Sequence, residues 1–316
     1  MVKISDAIQT ALEHHRSGRL DLAEQIYRRV LAADPDCADA LYLLGILAHQ
    51  RACVALARES IRQAAAVCPG KAEYQNDLGN VFQEEGSFSE AVACYRRALL
   101  LDPTCAEYHF NLGNSLASEG QPLDAIACYE RSLQLNPGLA EAHSSLAYTL
   151  YQEGRWEEAI ACIERALRLR PEFPEALVNR GLAFQGLGQV EEAIDCYRRA
   201  LQLRPKYAVA HSDMLVALHY RSGITLKALA NAHAQYEERH AAPLRTTWRP
   251  HENVRDPDRR LRLGFVSPDL GRHPVGWFLI GVFQNLDRDS CDVICYSDRG
   301  RPDDLTSRLR TASTAW

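Results

Sequence analysis

No stretch of the 316-residue chain is apolar for the roughly 18–20 consecutive residues that a membrane-spanning helix needs. Its first residues, Met1-Val2-Lys3-Ile4-Ser5-Asp6, lack the apolar core of a secretory leader. Ten cysteines are present, yet no two form a C-x-x-C pair, so local spacing writes neither a zinc knuckle nor a dithiol redox motif. A basic block is missing too: Lys and Arg number 36 against 41 Asp and Glu, divided 24 against 31 before Pro243 and 12 against 10 after it. That balance speaks against a nucleic-acid footprint. Together these absences imply a soluble, cytoplasmic protein that engages neither membrane nor nucleic acid. The 47% apolar and 24% charged composition is that of an ordinary globular chain.

What the sequence does have is a period. Pro35, Pro69, Pro103, Pro137, Pro171 and Pro205 follow one another at intervals of 34 residues without an insertion. Taking each proline as repeat position 32, position 20 is alanine in every copy: Ala23, Ala57, Ala91, Ala125, Ala159 and Ala193. Position 8 is Gly45, Gly79, Gly113 and Gly181, with Ala11 and Ala147 in the other two copies. Position 15 is Gly18, Gly86, Gly120, Gly154 and Gly188, and Ala52 in the second copy. Position 24 carries a large plug: Tyr27, Ile61, Tyr95, Tyr129, Ile163 or Tyr197. Cys94, Cys128, Cys162 and Cys196 share the same interval, so they are one structural position seen four times and read as small buried hydrophobes.

Each recurrent residue has a mechanical reason. Two antiparallel helices per repeat approach closely where the side chain is absent or a methyl, which predicts glycine at 8 facing alanine at 20. Glycine at 15 supplies the permissive backbone that ends the first helix, and proline at 32 stops the second. One helix pair cannot bury its apolar face alone, so the units stack into a solenoid. Residues 4–207 resemble the tetratricopeptide repeat at nearly every signature position. The second copy departs most, with Ala52 at the turn and Ala65 at position 28, and is expected to be looser or to bend the superhelix. Residues 208–242 read as a degenerate seventh pair: Met214, Leu215 and Leu218 at helical spacing, a turn at Ser222-Gly223, and Thr225 capping a helix to about Ala241.

The first helices of such a solenoid line its inner groove. They carry Asn76, Asn80, Asn111, Asn114 and Asn179, with Asp77, Ser145 and Asp213 in ladder-like positions. An amide donates and accepts at once, so a spaced row of Asn grips the backbone of an extended peptide whatever its sequence. Protein or peptide partners in the groove are therefore expected. A homo-oligomer through the convex face is compatible with the architecture, although no stripe of residues identifies one. His109, His143 and His211 recur at position 4; one His per repeat makes a packing residue rather than a metal ligand.

After Ala242 the character changes. Residues 243–260 read as a linker rich in polar residues and proline. Leu261–Ser267 reads as a strand, Pro268–Pro274 as a loop, Val275 to about Leu286 as a helix, Cys291–Ser297 as a second strand, and Asp303 to Thr311 as a helix. Strand–helix–strand–helix opens a parallel α/β sheet. Two strands do not complete such a sheet, so residues 261–316 read as an incomplete segment: a fragment, a truncation, or half of something completed by a partner. The fold class is thus mainly α: a repeat solenoid followed by an incomplete Rossmann-type α/β segment.

The run Leu261-Arg262-Leu263-Gly264-Phe265-Val266-Ser267-Pro268-Asp269-Leu270-Gly271-Arg272-His273-Pro274 resembles the opening of the catalytic region in the O-linked N-acetylglucosamine transferase family, including its bacterial SPINDLY-like members. Asp292-Val293-Ile294-Cys295-Tyr296-Ser297 fits that family's second strand, and the order of repeats, helical transition and two-lobed glycosyltransferase matches as well. The resemblance implies attack by a protein Ser or Thr hydroxyl on a UDP-activated sugar, with inversion, with no metal or other cofactor. It places His273 at the active site, as base or as positioning group, with Asp269 nearby as a weaker candidate. In the family the donor is held largely by a second lobe that residues 261–316 do not include, so the chain alone is expected to be inactive. The alternative is a peptide-binding repeat scaffold that keeps a remnant of a catalytic segment.

Overall fold

The structure, a computed structural model, describes residues 4–248, 259–298 and 302–316. It divides into two compact units, Met1–Thr246 and Thr247–Trp316.

Seven antiparallel helix pairs build the first unit: α1 (Ile4–Arg16) and α2 (Leu20–Ala33), α3 (Ala38–Gln50) and α4 (Val54–Val67), α5 (Ala72–Glu84) and α6 (Phe88–Leu101), α7 (Ala106–Ser118) and α8 (Pro122–Leu135), α9 (Ala140–Gln152) and α10 (Trp156–Leu169), α11 (Pro174–Gly186) and α12 (Val190–Leu203), α13 (Ala208–Tyr220) and α14 (Leu226–Tyr236). The glycines at position 15 all turn the chain in the left-handed region, with φ of 75° or 76°. Ala52 makes the same turn at φ 57°, a conformation that costs an L-residue roughly 1–2 kcal/mol. The second repeat is nonetheless not loosened: α3 and α4 pack against each other as closely as any other pair. Every second helix in the first six pairs ends two residues before its proline.

Position 8 does not simply face alanine. A Cβ added to Gly113 would lie 2.6 Å from a ring carbon of Tyr129, and one on Gly79 or Gly181 would strike Tyr95 or Tyr197 in the same way. In the second repeat, where Ile61 replaces the ring, a Cβ on Gly45 would lie 2.5 Å from the Ile61 side chain and 3.2 Å from the Ala57 carbonyl. The close approach exists to seat an aromatic plug, and those tyrosine rings are buried almost completely. Burial of such a ring stabilises by roughly 1.5–3 kcal/mol.

The seventh pair forms as expected, with the Thr225 hydroxyl accepting from the Ala228 N–H at 3.1 Å and Gly223 at φ 73°. Its second helix stops at Tyr236, earlier than the sequence pattern implied. One π-type turn (Glu237–Ala241) and a 3-10 stretch (Ala242–Thr247) follow it. The expected linker therefore begins as helix, and the rest of it, residues 249–258, lies outside the described residues.

The second unit runs β1 (Leu261–Val266), α15 (Pro274–Asn285), β2 (Cys291–Tyr296) and α16 (Asp304–Thr311). The strands are parallel, in register from Leu261 opposite Cys291 to Val266 opposite Tyr296. Leu270, Ile280, Phe283, Val293, Cys295, Leu305 and Leu309 make its core. Sequence reading missed one pairing. Ala315 lies parallel to Ile294, and the Cys295 N–H donates to the Ala315 carbonyl at 2.9 Å, so an isolated bridge pairs with the free edge of β2.

Candidate functional site

Successive first helices of the solenoid approach one another, α5 with α7, α7 with α9 and α9 with α11, while the second helices splay apart. The first helices therefore line the inner face. There the asparagines meet across repeats rather than standing separately. The Asn111 amide donates to the Asn76 side-chain oxygen at 3.0 Å and to that of Asn80 at 3.4 Å. Asn76 and Asn80 in turn donate to the Asp77 carboxylate at 3.0 and 3.2 Å. Asn76 is buried, so its amide supports the row from beneath. The half-buried Asn80, Asn111, Asn114 and Asn179 keep access to the groove.

The tyrosine plugs hold this row in place. Tyr95 donates its hydroxyl to Asn80 at 2.7 Å, and Tyr129 donates to Asn114 at 2.9 Å. Each plug thus reaches through the helix pair and fixes the rotamer of a groove amide. Asn179 donates to the Ser144 hydroxyl and carbonyl, at 3.0 and 3.2 Å. Beside it lies a cavity of about 380 Å³, lined by Phe110, Tyr148, Phe173, Glu141, Glu175 and Asn179 among others. The sequence reading passed over those aromatic and acidic residues. Glu73, Glu107, Glu141 and Glu175 recur at repeat position 2, a period that was legible all along.

The position-4 histidines are packing residues. Nε2 of His109 and of His143 lies 3.1 and 3.2 Å from the carbonyl of the preceding repeat proline, which ties each first helix to the loop before it. Burial pushes the His143 imidazole below its usual range. The repeated cysteines are free, and burial raises Cys94 and Cys196 to about 11.

In the second unit, the loop between β1 and α15 turns sharply at Leu270-Gly271. The Asp269 N–H donates to the Ser267 hydroxyl at 3.0 Å, and the Gly271 N–H donates to the Asp269 carbonyl at 2.9 Å. A Cβ on Gly276 would lie 2.1 Å from the Gly271 carbonyl, so loop and helix meet backbone to backbone. His273 is the N-cap of α15, and its Nδ1 accepts from the Val275 N–H at 3.3 Å. A neutral imidazole has one free lone pair, so this cap places the proton on Nε2. The side chain is 43% exposed, with the Asp269 carboxylate 3.7 Å from Nδ1. Its neighbour Arg272 is already bound to Asp304 at 2.6 Å.

A stacked helix-pair solenoid followed by a strand, a tight loop and a histidine-capped helix defines the class: a repeat solenoid joined to a small parallel α/β unit. Sequence families bear this out. Residues 8–72, 79–120, 102–172 and 146–217 match tetratricopeptide-repeat families, and residues 202–315 match Glycosyl transferase family 41. The chain is thus a tetratricopeptide-repeat protein whose residues 202–315 are similar to Glycosyl transferase family 41.

Over 103 residues it is 31% identical to the probable UDP-N-acetylglucosamine–peptide N-acetylglucosaminyltransferase SPINDLY of Solanum lycopersicum, covering 32% of this chain and 11% of that protein. The chain therefore spans about a tenth of that curated relative. A mutant of the Thermobaculum terrenum O-GlcNAc transferase superposes with a TM-score of 0.60 at 35% identity, covering 67% of this chain and 40% of that one. Pseudomonas aeruginosa PilF shares the repeat fold alone, at 22% identity and a TM-score of 0.58, over 66% of this chain and 95% of that one.

Proposed function

We propose that the chain is part of a protein O-glycosyltransferase that transfers N-acetylglucosamine from UDP to Ser or Thr hydroxyls, its solenoid recruiting the acceptor polypeptide. The observation that supports this reading is the presence, in one chain, of an amide-lined groove and a family 41-like strand–loop–helix with His273 at the start of its helix. In this reading Asn80, Asn111, Asn114 and Asn179 bind peptide backbone, and Asn76 with Asp77 holds them in register. The free thiols fit a reducing, cytoplasmic setting.

The geometry of His273 favours a positioning role over that of general base. Its Nδ1 lone pair is spent on the helix N–H, so Nε2 presents a donor. Transfer forms a bond from the acceptor oxygen to the sugar carbon, releases UDP and frees the hydroxyl proton. An Nε2–H suits the orientation of a reacting or leaving oxygen, and the proton goes to another acceptor. With Arg272 engaged by Asp304, donor binding is assigned to groups other than His273 and Arg272.

A stand-alone peptide-binding scaffold is the second reading, favoured by the separation into two compact units. Binding of Ser- and Thr-containing peptides to residues 1–246 and to the full chain separates the two. The transferase reading expects residues 247–316 to strengthen binding of these peptides over matched peptides carrying Ala in place of Ser and Thr. Identical binding by both chains, indifferent to the Ser and Thr hydroxyls, supports the scaffold.

A further inference from the structure

The solenoid's last helix pair is fastened in an unusual way. Two histidines of α13 each meet a histidine of the returning segment. Nδ1 of His211 is 3.1 Å from Nε2 of His240, and Nε2 of His219 is 3.1 Å from Nε2 of His233. The ring centroids stand 5.2 and 5.3 Å apart. That exceeds each nitrogen separation by nearly two ring radii, so the nitrogens point head-on. Head-on geometry is that of an N–H···N hydrogen bond, which needs one proton between two nitrogens. Two lone pairs converging on a shared metal ion would meet at an angle instead.

The packing beneath these contacts is thin. No residue of α14 is fully buried, whereas each of the six preceding second helices buries at least three. Leu229, Ala232 and Tyr236 contribute half-buried contacts to the terminal core, and His211 also meets the Tyr236 ring edge-on at 5.2 Å. His240 lies in the π-type turn, where the helix has widened by one residue per turn.

From this geometry we infer that the two histidine pairs form an acid-released latch, which holds α14 and the π turn on α13 while the imidazoles are neutral and lets them go when both members of a pair are protonated. Two imidazolium rings cannot share a hydrogen bond, and their like charges at this distance repel. Burial, then His240, then Arg239 all depress protonation of His211 in the docked state. The sign follows for His211: its imidazole takes a proton more readily in the undocked state, so docking is strongest above its ordinary value of 6.5 and weakens as pH falls below it.

The surrounding charges do not offset this. Arg239 and His240 face His211 from the returning segment. Arg221, near His219, is engaged by Glu191 of α12, and Glu237 by Arg245. On α13 itself Asp213 is turned toward Tyr151, Tyr197 and Tyr207. Release would uncover Leu215, Leu218 and Met214, the apolar end of the repeat stack, just where the chain leaves for its second unit.

Amide hydrogen exchange of the full chain at pH 7.5 and pH 5.0, corrected for the intrinsic rate, tests this. Residues 226–241 are expected to lose protection by about tenfold or more at the lower pH, while α9 to α12 keep theirs. His211→Gln with His219→Gln, which retains a polar partner at each contact and leaves no pair that can be doubly protonated, is expected to flatten the response. Equal protection of 226–241 at both pH values overturns the latch. So does the same acid loosening in the double variant, since the histidines would then not be its cause.

Discussion

Ala52 and Gly113 show what a repeat asks of single residues. The turn after each first helix needs a left-handed residue, and five copies meet that need with glycine while Ala52 bears φ 57°. Replacing Ala52 with glycine is expected to raise the unfolding free energy by about 1 kcal/mol, less the extra entropy of the unfolded glycine. Urea unfolding measures it, and a loss of stability would show that the turn is unstrained. Gly113→Ala should act the other way. Its methyl would sit 2.6 Å from the Tyr129 ring, and overpacking of that kind costs roughly 1–3 kcal/mol. An unchanged midpoint would mean the ring moves aside freely. The turn glycines were legible in the sequence because backbone sterics leave few alternatives. The partner of Gly113 was not, because a period states which positions recur and not which side chain of the facing helix fills the gap.

At the scale of elements, the helix pairs, the capped seventh pair and the strand–loop–helix were all readable from apolar spacing and breakers. The groove was read in outline only. Spacing placed the asparagines on one face, but their coupling to one another across repeats and to the tyrosine hydroxyls depends on side chains 15 to 35 residues apart. The bridge at Ala315 escaped notice because a pairing of so few residues shows no alternation. His273 illustrates a dual role that sequence cannot separate, since one side chain both caps α15 and faces the loop. His273→Ala is expected to cost the second unit about 1 kcal/mol through the lost cap, and His273→Asn, itself a good cap, close to nothing. Thermal unfolding of the two variants checks this. Equal stability in both would mean the Nδ1 contact carries no capping energy.

For the whole molecule, the two units divide the work that the family 41 resemblance implies: one presents an extended amide-lined surface, the other a loop that aims an imidazole. The histidine latch sits on the last helix pair of the first, at the point where the chain passes between them. What gives the molecule its function in this account is the groove, because recruitment must precede any chemistry at His273. The most direct measurement is the affinity of the full chain for an array of unstructured Ser- and Thr-containing peptides, compared with Asn111→Ala combined with Asn179→Ala, alongside the helical circular dichroism of both proteins. Losing two amide contacts at roughly 0.5–1.5 kcal/mol each predicts binding weaker by about tenfold, with helicity unchanged. Binding that survives the double substitution, or that disappears only together with the helical signal, would contradict the claim that these amides hold the acceptor chain.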